Sequence, residues 1–81
     1  MNFETFKEIY ENKSLEDKFY LFNQTMQLIS GINRQIENAE WRRNQEDADY
    51  ERRELEHMNR RAEWLFDEIV TGIRALEGRA K

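Results

Sequence analysis

Apolar residues near the start of the chain recur at the three- and four-residue spacing of an amphipathic helix. The residues on this apolar side are Phe3, Phe6 and Ile9 or Tyr10. Asn2 precedes them and is a suitable N-cap, and the pattern stops near Asn12–Lys13. We predict a short helix over about residues 2–12.

A longer apolar stripe follows Ser14. The hydroxyl of Ser14 and the acid Asp17 form a variant of the capping box, which marks a helix start. The stripe then steps by three or four residues through Leu15, Phe19, Phe22, Met26, Ile29, Ile32, Ile36 and Ala39. This spacing predicts a second helix over about residues 15–44.

A third apolar stripe of helical spacing occupies the second half of the chain. It consists of Leu55, Met58, Ala62, Leu65, Ile69, Ile73 and Leu76. Gly78 follows the last member and suits a C-terminal cap. We predict a third helix over about residues 47–77.

The segment 42–54 between the two long stripes is polar except for Ala48 and Tyr50. It permits either one continuous helix of more than 60 residues or an antiparallel hairpin that turns inside the segment. If the chain folds back near residue 47, stripe residues face each other in pairs whose numbers add up to 94 or 95, such as Phe22 with Ile73. Antiparallel pairing requires a constant sum of the paired residue numbers, so this pattern favours the hairpin over the continuous helix. Asn44 or Asp47 would then cap the last helix.

The long stripes carry more large apolar side chains than one seam between two helices can bury. The first helix can cover only part of this excess. We therefore predict an oligomeric helical bundle, completed as a dimer or a larger symmetric assembly. The predicted interface residues are Tyr20, Leu21, Leu28, Trp64, Phe66 and Val70.

Composition supports an all-α single domain of coiled-coil character. The 81 residues suffice for one domain, and 38% are hydrophobic against 37% charged. The chain has only three glycines, no proline and no cysteine. It therefore has few of the residues that form turns in β-sheets, and it cannot form a disulfide framework.

The net charge of −4 and the isoelectric point near 5.0 argue against a surface adapted to nucleic acid or anionic lipid. No segment approaches the roughly 18 to 20 apolar residues of a membrane span, and the first residues lack the features of a secretory signal. We therefore expect a cytoplasmic protein with neither a membrane nor a nucleic acid as its partner.

Arginine doublets lie near aromatic residues, a combination that binds phosphates and stacks on bases. The candidate ligand-binding residues are Trp41, Arg42, Arg43, Tyr50, Arg52, Arg53, Arg60, Arg61 and Trp64. The competing interpretation is a self-neutralised surface, because Arg42 with Glu46 and Arg43 with Asp47 have the spacing of helical ion pairs.

His57 lies three residues after Glu54, which is half of the ligand motif of di-iron helical bundles. Glu37 and Glu40 would come near in the hairpin, but a two-metal site needs about six ligands, including a second histidine. No glycine-rich phosphate loop, Cys–His pair or nucleophile signature is present. We expect no metal, no cofactor and no enzymatic activity.

These observations predict a non-catalytic interaction protein, an inhibitor or adaptor that binds another protein. In its compact, motif-free helical design the chain resembles the small accessory or inhibitor proteins of phages and mobile elements. The alternative is an oligomer that sequesters a phosphorylated small molecule, such as a cyclic nucleotide, through arginines and aromatics. A short helix followed by a hairpin and assembled into an oligomer resembles in outline the phage sponges that sequester cyclic nucleotide signals of bacterial immunity. The resemblance lies in the architecture, and no residue is carried over from it.

Overall fold

The computed structural model describes residues 2–80, which form three α-helices joined by short turns. Helix α1 spans Phe3–Tyr10, helix α2 spans Leu15–Trp41 and helix α3 spans Gln45–Ala80. The described residues contain no β-strand, so the all-α prediction is confirmed. None of the described helices is both long and apolar enough to cross a bilayer.

The first two helices begin at the caps that the sequence predicts. The side-chain oxygen of Asn2 accepts a hydrogen bond from the backbone N–H of Thr5 at 2.8 Å. The hydroxyl of Ser14 accepts one from the N–H of Asp17 at 3.1 Å. Each cap satisfies an amide that the helix itself leaves without a partner.

A tight turn at residues 42–44 separates α2 from α3, so the continuous long helix is not formed. Arg43 adopts a positive φ of 58°, and the N–H of Asn44 reaches back to the carbonyl oxygen of Ala39 at 2.8 Å. This backbone pattern closes a helix that ends in a left-handed residue. The Asn44 side chain then accepts a hydrogen bond from the N–H of Asp47 at 3.2 Å, as an N-cap of α3 does.

The helix bounds differ from the predicted ones by a few residues. Helix α1 ends at Tyr10 rather than near residue 12, and α2 ends at Trp41 rather than near 44. Helix α3 begins at Gln45 and continues past Gly78, which therefore does not end it. A glycine inside a helix costs about 1 kcal/mol relative to alanine without terminating the hydrogen-bond ladder.

Contacts between α2 and α3 join early residues of one helix to late residues of the other. Leu15 lies over Gly72, where an added Cβ would be only 3.0 Å from the leucine Cδ1. Lys18 Nζ lies 3.4 Å from a carboxylate oxygen of Glu68. Near the turn, Glu40 forms an ion pair with Arg52. These contacts fix the register between the two helices.

This register differs from the predicted pairing, in which Phe22 faces Ile73. The ring of Phe22 lies 6.2 Å from that of Phe66, which comes seven residues earlier in α3. The physical reason is the position of the turn. Because the chain reverses at residues 42–44 instead of near 47, each residue of α2 meets an earlier residue of α3 than predicted.

Helix α1 packs on one flank of α3. Phe6 is buried, with its ring centroid 4.9 Å from that of Tyr10 and 5.8 Å from that of Trp64 in an edge contact. The side chain of Lys18 donates a hydrogen bond to the carbonyl oxygen of Glu11, in the turn after α1, at 3.1 Å. The short helix therefore covers the Trp64 side of α3 and leaves the opposite flank open.

The core is small for the number of apolar residues in the chain. Leu65 is the only large side chain that is fully buried among the described residues, at 0% exposure. The other buried residues are Phe6, Thr25, Ile29, Ala39, Ala48, Ala62 and Ile69. The described part of the chain measures 56 × 22 × 14 Å, a slab too thin to provide a second layer over a pair of helices.

We predict that Arg43→Gly stabilises the fold. A positive φ is strained for a residue with a Cβ and free of that strain in glycine, which also has more conformational freedom to lose on folding. The net gain is expected to be about 0.5 kcal/mol in the free energy of unfolding, measured by urea denaturation. Arg42→Gly is the matched control, because Arg42 has a helical φ of −78° and should lose stability. A loss for Arg43→Gly would contradict the account of the turn.

Candidate functional site

The most prominent surface feature is an apolar face on the flank opposite α1. We call it the open face and define it by Phe19, Phe22 and Met26 of α2 with Ala62, Phe66 and Ile73 of α3. Phe66 is 55% exposed, and Phe19, Met26 and Ile73 are exposed as well. The three α2 members step by three and four residues, while Phe66 and Ile73 lie two helical turns apart on α3.

A groove of about 440 Å³ runs along the open face between the two helices. Phe22, Met26, Ala62 and Phe66 form its apolar walls, and the exposed acids Glu63 and Asp67 also line it. Burying one large apolar side chain contributes about 1.5–3 kcal/mol relative to leaving it in water. Several such groups in one place are a strong drive for association.

The six predicted interface residues do not form one surface. Phe66 lies on the open face, whereas the half-buried Trp64 packs on Phe6 within the chain. Tyr20 and Leu28 are exposed on α2, and Leu21 and Val70 are half-buried. The predicted pairing places Phe19, Met26 and Ile73 in the seam between the helices, whereas all three are exposed in the structure.

The predicted ligand-binding arginines are divided along α3. Arg52 pairs with Glu40 and also with Asp49, at 3.1 Å. Arg60 lies 5.9 Å from the centre of the Phe3 ring, and Arg61 lies 4.9 Å from that of Phe6. These three guanidinium groups therefore have partners inside the chain.

The remaining candidates lie near the turn between α2 and α3. Trp41 is 88% exposed, Tyr50 is exposed on α3, and so are the two arginines of the turn and Arg53. At 1.5 Å per residue the start of α3 is about 22 Å from Arg60. Within one chain the candidates therefore do not converge on a single pocket.

The proposed ion pairs of the turn are not formed. Arg42 and Arg43 lie outside the helices, so the four-residue helical spacing to Glu46 and Asp47 no longer brings the groups together. Asp47 instead accepts a hydrogen bond from the Asn44 side chain at 2.8 Å. Among the described residues, no ion pair or hydrogen bond engages either guanidinium group. The self-neutralised interpretation is therefore wrong at the turn.

A second groove, of about 740 Å³, separates the start of α1 from α3. It is lined by Asn2, Phe3, Glu4, Glu54, His57, Met58, Arg60 and Arg61. Its charges are of both signs, so it is not an electrostatic match for an anion alone. The described residues contain no cluster of three or more His, Asp or Glu side chains suited to a metal ion.

Glu40 and Glu54, two of the carboxylates considered as metal ligands, have different neighbours in the structure. Glu40 is engaged by Arg52, and Glu54 lines the groove beside α1 together with His57. Comparison of the chain with family models, with curated proteins and with solved structures finds no significant match, so these surfaces are interpreted from their own chemistry.

Proposed function

We propose that this protein is a non-catalytic interaction protein built as an antiparallel helical hairpin. In this proposal two or more copies join through the open face, and the assembly binds another protein as an inhibitor or adaptor of phage or mobile-element type. The observation that carries the proposal is the open face itself, where Phe66 is 55% exposed beside Phe19, Met26 and Ile73.

Self-association accounts for the open face better than permanent exposure does. A domain of this size has a free energy of unfolding of about 5–15 kcal/mol, so leaving several large side chains in water removes a considerable part of the possible stability. A second copy offers an identical apolar groove, and a two-fold axis lets each copy bury the other's aromatics. The acids Glu63 and Asp67 would then remain at the rim, in contact with water.

Affinity purification from the native host, with mass spectrometry of retained proteins and small molecules, tests the function. The proposal predicts a protein retained in a fixed ratio to the bait. Enzymatic turnover of a retained small molecule would contradict it. Recovery of a phosphorylated small molecule with no protein would favour the alternative function.

That alternative, an oligomer binding a phosphorylated small molecule such as a cyclic nucleotide, draws on the groove beside α1. Arg60 and His57 line this groove and would bind a phosphate there. Glu4 and Glu54 line it as well, and their carboxylates would repel an anion. A thermal-shift panel of cyclic and linear nucleotides separates the two functions. A ligand at 100 times its dissociation constant stabilises by about 2.7 kcal/mol, so a sequestered nucleotide would raise the melting temperature by several degrees.

A further inference from the structure

The turn between α2 and α3 presents an exposed aromatic residue next to two cations. We call Trp41, Arg42 and Arg43 the tip. Trp41 is 88% exposed, more than any other large hydrophobic residue among the described ones. The two arginines are also exposed, and no side-chain partner in the described chain neutralises them.

The fold maintains the tip at a cost. Arg43 has a φ of 58°, a conformation that glycine adopts most easily and that strains a residue with a Cβ. Backbone hydrogen bonds at the end of α2 hold Arg43 in this conformation, but its exposed side chain forms no ion pair within the described chain. Trp41 likewise gains almost no burial from its own fold. A role outside the chain would account for both residues.

We propose that the tip is the element that enters the binding partner, and that the partner is a protein with an apolar pocket bordered by Asp and Glu. This inference rests on the proposed function of binding another protein and names the residues that would do so. Trp and Arg are the residue types that most often carry the binding energy of protein interfaces. The indole would fill the pocket, and the guanidinium groups would pair with carboxylates at its border.

Shape favours a protein over a small ligand. Small molecules bind in concave sites, whereas the tip is a convex turn at one end of a molecule 56 Å long. The two grooves described above are lined by residues of the helices, and Trp41 borders neither of them. A convex element with one large side chain fits into a concavity that a larger partner supplies.

Charge favours a protein over a polyanionic surface. The net charge of the chain is −4, and the acids Glu46 and Asp47 follow the tip in the first turn of α3. A membrane or a nucleic acid would attract the two arginines but repel the acids around them. A pocket with a few carboxylates at defined positions can contact the arginines alone.

A library of native-host genomic fragments, long enough to encode folded domains and displayed on phage, tests the proposal when it is panned on the full chain. The enriched domains should present apolar residues together with Asp or Glu. The purified domains should bind wild type in fluorescence anisotropy and lose at least about tenfold in affinity with Trp41→Ala and with Arg42→Gln/Arg43→Gly. Arg43→Gly removes the charge while relieving strain, so this loss cannot be attributed to unfolding. Binding should also weaken as salt rises.

Tyr50→Ala/Arg53→Gln is the matched control, since it removes an exposed aromatic and an exposed arginine near the tip and should leave affinity unchanged. Domains that bind all variants equally would overturn the role of the tip and leave the proposed function standing. Failure to enrich any domain would also overturn the role of the tip, whereas the affinity purification decides the proposed function separately. Tip-dependent binding of phosphatidylglycerol vesicles or of a single-stranded oligonucleotide, tested as direct probes, would overturn the assignment to a protein partner.

Discussion

Phe66→Glu is expected to break the proposed oligomer into monomers. The substitution puts a carboxylate in the middle of the open face, where Phe66 contacts Phe22 and borders the apolar groove. Burying an unpaired carboxylate costs several kcal/mol, so the dissociation constant should rise by at least about 100-fold. Analytical ultracentrifugation over a range of concentrations measures this change directly.

Tyr50→Glu is the matched control for this prediction. Tyr50 lies on the same helix and is 56% exposed, nearly the same as Phe66, but it is not part of the open face. The same chemical change should therefore leave the assembly intact. Met26→Lys, on the other helix of the face, should reproduce the effect of Phe66→Glu. Equal association of wild type and both open-face variants would refute the interface.

Leu65→Ala is expected to destabilise the fold more than any other Leu→Ala change on α3. Leu65 is completely buried, and removing its side chain leaves a cavity between the helices. Such substitutions cost about 2–5 kcal/mol, a large share of the stability of a domain of this size. Urea denaturation followed by circular dichroism measures the loss.

Leu76→Ala provides the comparison, because Leu76 lies later on the same helix and is 55% exposed. Its truncation should cost less than about 1 kcal/mol. If the two variants lost the same stability, Leu65 would not be the centre of the core. Denaturation at several protein concentrations separates the loss of folding from the loss of association.

The three helices could be predicted from the sequence because their signals are local. Apolar spacing and the caps at Asn2 and Ser14 depend only on neighbouring residues, and both caps form as expected. The Arg43 turn carries no such signal, since a left-handed helix end usually has glycine or asparagine at that position. The sequence therefore predicts the end of α2 three residues too late, at 44 instead of Trp41.

The register could not be obtained from the stripes alone. Phe22 can face either Ile73 or Phe66 with an apolar partner in both cases, because those residues lie two helical turns apart on the same side of α3. The position of the turn decides between the two, and it selects Phe66. Phe19 and Met26, which the predicted pairing places in the seam, are exposed on the open face.

The separation of the arginines also depends on the fold. Arg42 and Arg43 lose their predicted ion pairs because they lie in the turn, whereas Arg52 gains Glu40 from the facing helix. Sequence spacing gives only the partners available within one helix. An exposed, unpaired tip is therefore visible only once the helix ends are known.

The mass of the wild-type protein in solution tests the central claim most directly. Size-exclusion chromatography with light scattering at micromolar concentration should give a whole-number multiple of the 10.0 kDa chain, at least two, as self-association through the open face predicts. A mass of 10.0 kDa across the concentration range would contradict the account.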